Sequence, residues 1–227
     1  MNEVKKYIIV SEKKWHDKTF NQVQKCVPAE WIRINNANDL YLQKIDEINP
    51  KAIFFLHWSY IISPSIYEKY DCILFHMTDL PYGRGGSPLQ NLIIRGHETT
   101  KLSAIKVQKG IDTGDIYLKK DLSLFGTAEE IFIRAGNLML EMIKEIIEKN
   151  IVPIPQEGEP LLFKRRKSED SEMKQLASLE AVYDHIRMLD CEGYPPAFIE
   201  NEHFRFEFSK ASLKNNNIIA NVRIIKK

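Results

Sequence analysis

The chain has 227 residues, 44% of them hydrophobic and 28% charged, with 32 basic against 31 acidic side chains. That composition excludes a disordered chain, and a net charge of +1 offers no bulk attraction for nucleic acid. Three scattered cysteines, Cys26, Cys72 and Cys191, make neither a disulfide framework nor a C-x-x-C metal pair. No apolar run approaches the ~18 residues of a membrane span, so the chain reads as cytoplasmic.

In chain order, KYIIV (6–10) is a short buried strand. KTFNQVQKCV (18–27) spaces Phe20, Val23 and Val27 as a helix, and EWIRIN (30–35) alternates as a strand. DLYLQKIDEIN (39–49) places Leu40, Leu42, Ile45 and Ile48 on a helical stripe. KAIFFLHWSY (51–60) is a continuous β-branched and aromatic run, as a central strand requires. SPSIYEKY (63–70) is a short helix with Pro64 in its first turn. CILF (72–75) and LSAIKVQ (102–108) are further strands. The longest helix spans 127–150: Thr127 and Glu130 make a capping box, Ile131, Ala135, Leu138, Met142 and Ile146 share one face, and Pro153 and Pro155 end it.

Strands alternating with helices predict an α/β domain, a Rossmann-like, mostly parallel sheet flanked by helices, over residues 1–155. PIPQEGEP (153–160) reads as a linker. Residues 156–227, with a helix at 178–189 and strands at 203–208 and 218–225, predict a small C-terminal α+β region.

Two stretches carry chemistry. FHMTDLPYGRGGSPLQ (75–90) sets His76 at the carboxyl end of a central strand, where ligands bind in open α/β sheets. The loop after it presents Thr78, Asp79 and Arg84, shaped by Pro81 and by Gly83, Gly85 and Gly86. A strand-to-loop connection capped by a histidine is the plainer reading. KGIDTGDIY (109–117) brackets Gly114 with Asp112 and Asp115. This is either an ordinary β-turn or a device that points Asp112 at His76, giving an oriented acid/base pair.

Together, His76, Thr78, Leu80, Pro81, Gly85, Pro88 and Gly96, followed by Asp112-Thr113-Gly114-Asp115, resemble the folate-dependent formyltransferases. The resemblance covers about residues 1 to 155. It implies transfer of a formyl group from 10-formyltetrahydrofolate to an amine, without a metal. His76 would polarise the formyl oxygen or accept the amine proton, and Asp112 would hold the imidazole. The family's asparagine, two residues before the histidine, is here Leu74. Thr78, Asn91, Ser59 and His57 are candidate replacement donors, and Asp79 is a candidate contact to the acceptor. The resemblance assigns Trp58, Ser59, Gly110 and Asp115 to the folate, Trp58 being equally readable as a core residue.

For the acceptor, the tail and the 75–92 stretch look most like sugar-nucleotide N-formyltransferases of the pseudaminic-acid and amino-sugar type. On that basis a UDP- or dTDP-linked 4-amino-4,6-dideoxy sugar is expected, its pyrophosphate met by Arg84, Gly85, Gly86, Arg165 and Arg166. No nucleic acid or membrane partner is expected, and the resemblance implies a homodimer. Methionyl-tRNA formyltransferase, formyltetrahydrofolate hydrolase and an inactive folate- or nucleotide-binding module are the alternatives.

Overall fold

The computed structural model describes residues 4–227. The chain folds into two compact units, one built from Met1–Arg84, Lys101–Leu122 and Ile133–Leu162, the other from Gly85–Thr100, Ser123–Phe132 and Phe163–Lys227.

The six-stranded sheet is assembled from β1 (Lys6–Val10), β2 (Glu30–Ile34), β3 (Ala52–Phe55), β4 (Cys72–His76), β6 (Thr99–Lys106) and β7 (Ile116–Ser123), in the order β2-β1-β3-β4-β6-β7. The first four strands are mutually parallel and β6 runs antiparallel to β4. Connections α1 (His16–Cys26), α2 (Leu42–Ile48) and α3 (Pro64–Tyr67) alternate with those strands. Covered parallel strands must be apolar on both faces, and all four residues of β3 are buried. Ile8, Val10, Ile34, Ile45, Ile53 and Phe55 pack as one cluster behind the sheet.

The run 51–60 does not continue as one strand. β3 stops at Phe55, and His57 adopts a left-handed φ of 50°, which turns the chain away at the sheet's carboxyl edge. A two-stranded pairing of β5 (Tyr82–Gly85) with β8 (Leu161–Phe163), and helix α4 (Pro88–Ile94), were not anticipated. Nor is 153–160 a loose linker: Ile154 exchanges backbone hydrogen bonds with Ile116 at 2.7 and 3.0 Å, and Gln156 is bonded at both ends of its side chain.

The longest helix, α5 (Ala128–Lys149), begins as its capping box dictates. The Glu130 amide donates to Thr127 Oγ1 at 3.3 Å and the Thr127 amide to Glu130 Oε2 at 2.8 Å. In the second unit α6 (Leu179–Arg187) is capped by Ser178, whose Oγ accepts from the Ala181 amide. The sheet there is antiparallel, β9 (Ala197–Glu200), β10 (Phe204–Lys214) and β11 (Asn217–Lys226), with Phe206 opposite both Ile199 and Ile224. The architecture is the expected one: a mostly parallel sheet flanked by helices, and a small α+β tail. Among the described residues no helix is long and apolar enough to cross a membrane.

Loss of the capping hydroxyl should weaken α5. Thr127→Ala is expected to lower the free energy of unfolding by about 1 kcal/mol, read by urea denaturation. An unchanged midpoint would show that packing alone holds the helix start.

Candidate active site

Three parallel strands deliver polar residues to one edge of the sheet. Ser11 follows β1, His57 and Trp58 follow β3, and His76 closes β4. That carboxyl edge is the ligand-binding edge of open α/β sheets.

His76 is buried, and its Nε2 lies 2.8 Å from the carbonyl oxygen of Gly83. A carbonyl only accepts, so Nε2 carries a proton and Nδ1 is the nitrogen left for exchange. Nδ1 sits 3.5 Å from Asp112 Oδ2, with the two side chains 8% and 9% exposed. Asp112 reaches that position from a left-handed backbone, φ 52°, which a residue with a Cβ rarely adopts. The turn is pressed onto the end of β6: a Cβ on Gly114 would fall 1.6 Å from the Lys106 carbonyl oxygen. Inside the turn, Thr113 Oγ1 donates to the Lys109 carbonyl and Gln108 Nε2 to the Thr113 carbonyl.

The other candidates divide between the two units. Thr78 is fully buried, its hydroxyl 3.4 Å from the Gly83 carbonyl and its own carbonyl accepting from Ser103 Oγ. Asp79 is half exposed and paired with Lys119, which also donates to the Leu80 carbonyl. Arg84 donates through Nε and Nη2 to Gln156 Oε1, at 3.1 and 2.7 Å. Gly110, with φ 105°, packs on Thr113, and the Asp115 carbonyl accepts from the Lys106 amide. Ser59 is exposed.

Trp58 packs at a tilt against Phe55 and Tyr60, with ring planes 59° and 57° apart, while its indole Nε1 is buried without a hydrogen-bond partner among the described residues. A buried donor with no acceptor is unusual and suits a ligand carbonyl or ring nitrogen.

In the second unit, the Asn91 amide donates to the carbonyls of Gly86, Ser87 and Lys164. A Cβ on Gly85 would fall 2.4 Å from the Phe163 carbonyl oxygen, and one on Gly86 2.5 Å from Arg165 Cβ. These glycines admit neighbouring chain. The Arg166 guanidinium is held by the Asp170 carbonyl, and Arg165 is exposed. Gln156, Lys119 and Ser103 were not foreseen; polar residues inside strand or linker text carry no periodic signal.

Leu74, in the position where the resemblance expects asparagine, packs half-buried against the apolar cluster of Ile53 and Phe55. Beside Ser11, His16 is wholly buried, with Nδ1 2.7 Å from Ser11 Oγ.

A chain titled methionyl-tRNA formyltransferase from Clostridium thermocellum superposes with a TM-score of 0.96 at 52% identity, covering 99% of this chain and 100% of that one. The chain belongs to the formyltransferase superfamily. The model of the methionyl-tRNA formyltransferase C-terminal domain matches this formyltransferase over residues 168–225. A methionyl-tRNA formyltransferase from Rickettsia felis is 34% identical over 132 residues, 56% of this chain and 44% of the relative, so the match takes in less than half of that protein's length. HypX from Aquifex aeolicus in complex with tetrahydrofolic acid shares the fold, with a TM-score of 0.77 at 15% identity, over 92% of this chain and 38% of that one.

These matches overturn the expected acceptor. The relatives at 34% and 52% identity and the family model over the tail all bear the methionyl-tRNA name, against an amino-sugar substrate and against the exclusion of nucleic acid. The physical ground for the sugar reading also falls. Arg84, chosen for a pyrophosphate, directs Nε and Nη2 to Gln156, while Gly85 faces the Phe163 backbone and Gly86 faces Arg165.

Burial, reinforced by His57, Arg33 and Lys13, pulls His16 from 6.5 down to about 3. Between those values the unfolded chain takes up a proton that the folded chain refuses. This group's contribution to stability is therefore present above pH 6.5 and is lost as pH falls toward 3. His16→Gln is expected to flatten the fall of unfolding free energy with decreasing pH in that window, measured by urea titrations. An unchanged slope would contradict a neutral buried imidazole.

Proposed function

We propose that this chain is an N-formyltransferase that moves a formyl group from 10-formyltetrahydrofolate to the amino group of methionyl-tRNA. In this reading residues 1–155 are the catalytic part, residues 156–227 a small α+β region, and the cytoplasm its compartment. The observation that carries it is the buried His76–Asp112 pair at the sheet's carboxyl edge, in a chain 52% identical to a methionyl-tRNA formyltransferase.

The folate, when bound, supplies an electrophilic formyl carbon. The acceptor amine attacks that carbon, the bond to the folate nitrogen breaks, and one proton leaves the amine while another reaches the folate nitrogen. Nδ1 of His76 is the exchange site, because Nε2–H is tied to the Gly83 carbonyl. The Asp112 carboxylate stabilises the imidazolium formed when Nδ1 takes the amine proton, and holds the ring in place. Trp58 fits the folate: its buried Nε1 offers a donor and its neighbour Tyr60 an exposed ring face. The loop of Trp58 and Ser59 and the turn of Gly110 and Asp115 are assigned to folate, and Thr78 and Asp79 to the neighbourhood of the acceptor.

Purified protein with 10-formyltetrahydrofolate and methionyl-tRNA should yield formylmethionyl-tRNA. His76→Ala should lower kcat by about 10²–10⁴-fold with the fold intact by circular dichroism. Formate release without acceptor would mark a hydrolase instead, and no turnover of either kind a binding module.

A further inference from the structure

Gln156 uses the whole of its side chain. Its Nε2 donates to the carbonyl oxygens of Asp112 and Gly114, at 2.8 and 2.7 Å. Its Oε1 accepts from Arg84 Nε and Nη2, at 3.1 and 2.7 Å. Two donors and two acceptor lone pairs are all a side-chain amide has, and all four are engaged. Three stretches far apart in sequence thus meet on one residue: the glycine loop after β4, the 112–114 turn, and the segment after α5.

The segment that carries Gln156 is anchored before it. Two residues before Gln156, Ile154 is fixed to Ile116 by a reciprocal backbone pair. Two residues after it, a Cβ on Gly158 would fall 3.7 Å from Pro81 Cγ. The bond from Arg84 is charge-assisted, so it is stronger than an amide-to-amide contact. What Gln156 grips is the backbone of the residue whose carboxylate faces His76, on both sides of Thr113. Asp112 holds a left-handed φ, a conformation that persists only where its surroundings impose it. The donors of Gln156 impose it from outside the turn, as Thr113 and Gln108 do from within.

We propose that Gln156 is a positioning residue for formyl transfer. Its amide, itself oriented by Arg84, fixes the 112–114 turn so that the Asp112 carboxylate stays against Nδ1 of His76. Its hydrogen bonds go to backbone oxygens and to Arg84, and it takes no part in the proton transfer. The proposal rests on the reading of His76 and Asp112 as the proton-handling pair.

The variants separate the two halves of the tether. Gln156→Ala removes both. Gln156→Glu keeps the acceptor for Arg84 but loses both donors and sets a carboxylate against two carbonyls. Steady-state transfer from 10-formyltetrahydrofolate to methionyl-tRNA is expected to show kcat lowered by about 10–100-fold in each, with KM for donor and acceptor within about twofold of wild type. Gln156→Ala combined with Asp112→Asn should be no slower than Asp112→Asn alone, because both act through one carboxylate. A Gln156→Glu enzyme at the wild-type rate, or multiplicative losses in the double variant, would overturn the proposal.

A second readout does not depend on turnover. In histidine-labelled protein, the ring-proton resonance of His76 should move in Gln156→Ala toward its position in Asp112→Asn, while that of exposed His203 stays put. A His76 resonance that stays at the wild-type position would also overturn it. If wild type makes no formylmethionyl-tRNA, the proposed function fails, and the His76 resonance alone decides the positioning. Should Gln156→Ala not fold, Gln156→Glu carries both measurements.

Discussion

An imidazole and a carboxylate, each more than nine-tenths shielded from water, lie 3.5 Å apart at the end of β4, and much of the first unit serves to keep them there. Removing charged groups from water costs several kcal/mol per ion, and their mutual attraction offsets that only when geometry and hydrogen bonding are right. The fold meets the first condition by placing His76 at the last position of a strand buried on both sides, so the ring has no freedom to leave. It meets the second through the Gly83 carbonyl, which occupies the far nitrogen and leaves Nδ1 for Asp112. Asp112 reaches its place through a left-handed backbone, φ 52°, which aspartate enters more readily than most residues with a side chain. The contacts around the 112–114 turn hold that conformation.

The same constraint explains why so many side chains near the site bond to backbone carbonyls. Ser103 binds the Thr78 carbonyl, Lys119 the Leu80 carbonyl, and Gln156 those of Asp112 and Gly114. Irregular chain segments at a sheet edge leave carbonyls without ladder partners. Each such oxygen bonded to a side chain is one more restraint on the loop that carries it. The candidate site is shaped as much by the polar side chains that bond these carbonyls as by His76 and Asp112.

Much of the scaffold was legible because the physics behind it is local. The Thr127–Glu130 capping box, the apolar runs of β1, β3 and β4, and the helix after Ser178 follow from periodicity and cap chemistry, signals a few residues long. His76 and Asp112 were legible as a pair only through the two motifs together, since neither turn residue type nor strand ending is rare. Gln156 was not legible: a glutamine between prolines and a glycine looks like linker, and its role exists only where three distant segments meet. The acceptor was misread for a related reason. The chain's 32 basic and 31 acidic residues nearly cancel, and that sum was taken as evidence against nucleic acid. Recognition depends on where charges lie in space, and a chain's total says little about that.

Leu74 shows what happens when one position answers two demands. It lies in β4 two residues before His76, opposite Phe55 on one neighbouring strand and Ile105 on the other, and packs into the apolar cluster. An asparagine there would present an amide that must find partners or remain unsatisfied, at a cost of about 1–3 kcal/mol. With leucine the strand is stabilised by packing, and the site gives up a donor on that side. Two of the donors foreseen as substitutes are engaged elsewhere. Asn91 directs its amide to three carbonyls, and the Thr78 hydroxyl makes a long bond to Gly83. With no amide at that position, holding the His76 ring through the Gly83 carbonyl becomes the more consequential task for the rest of the fold.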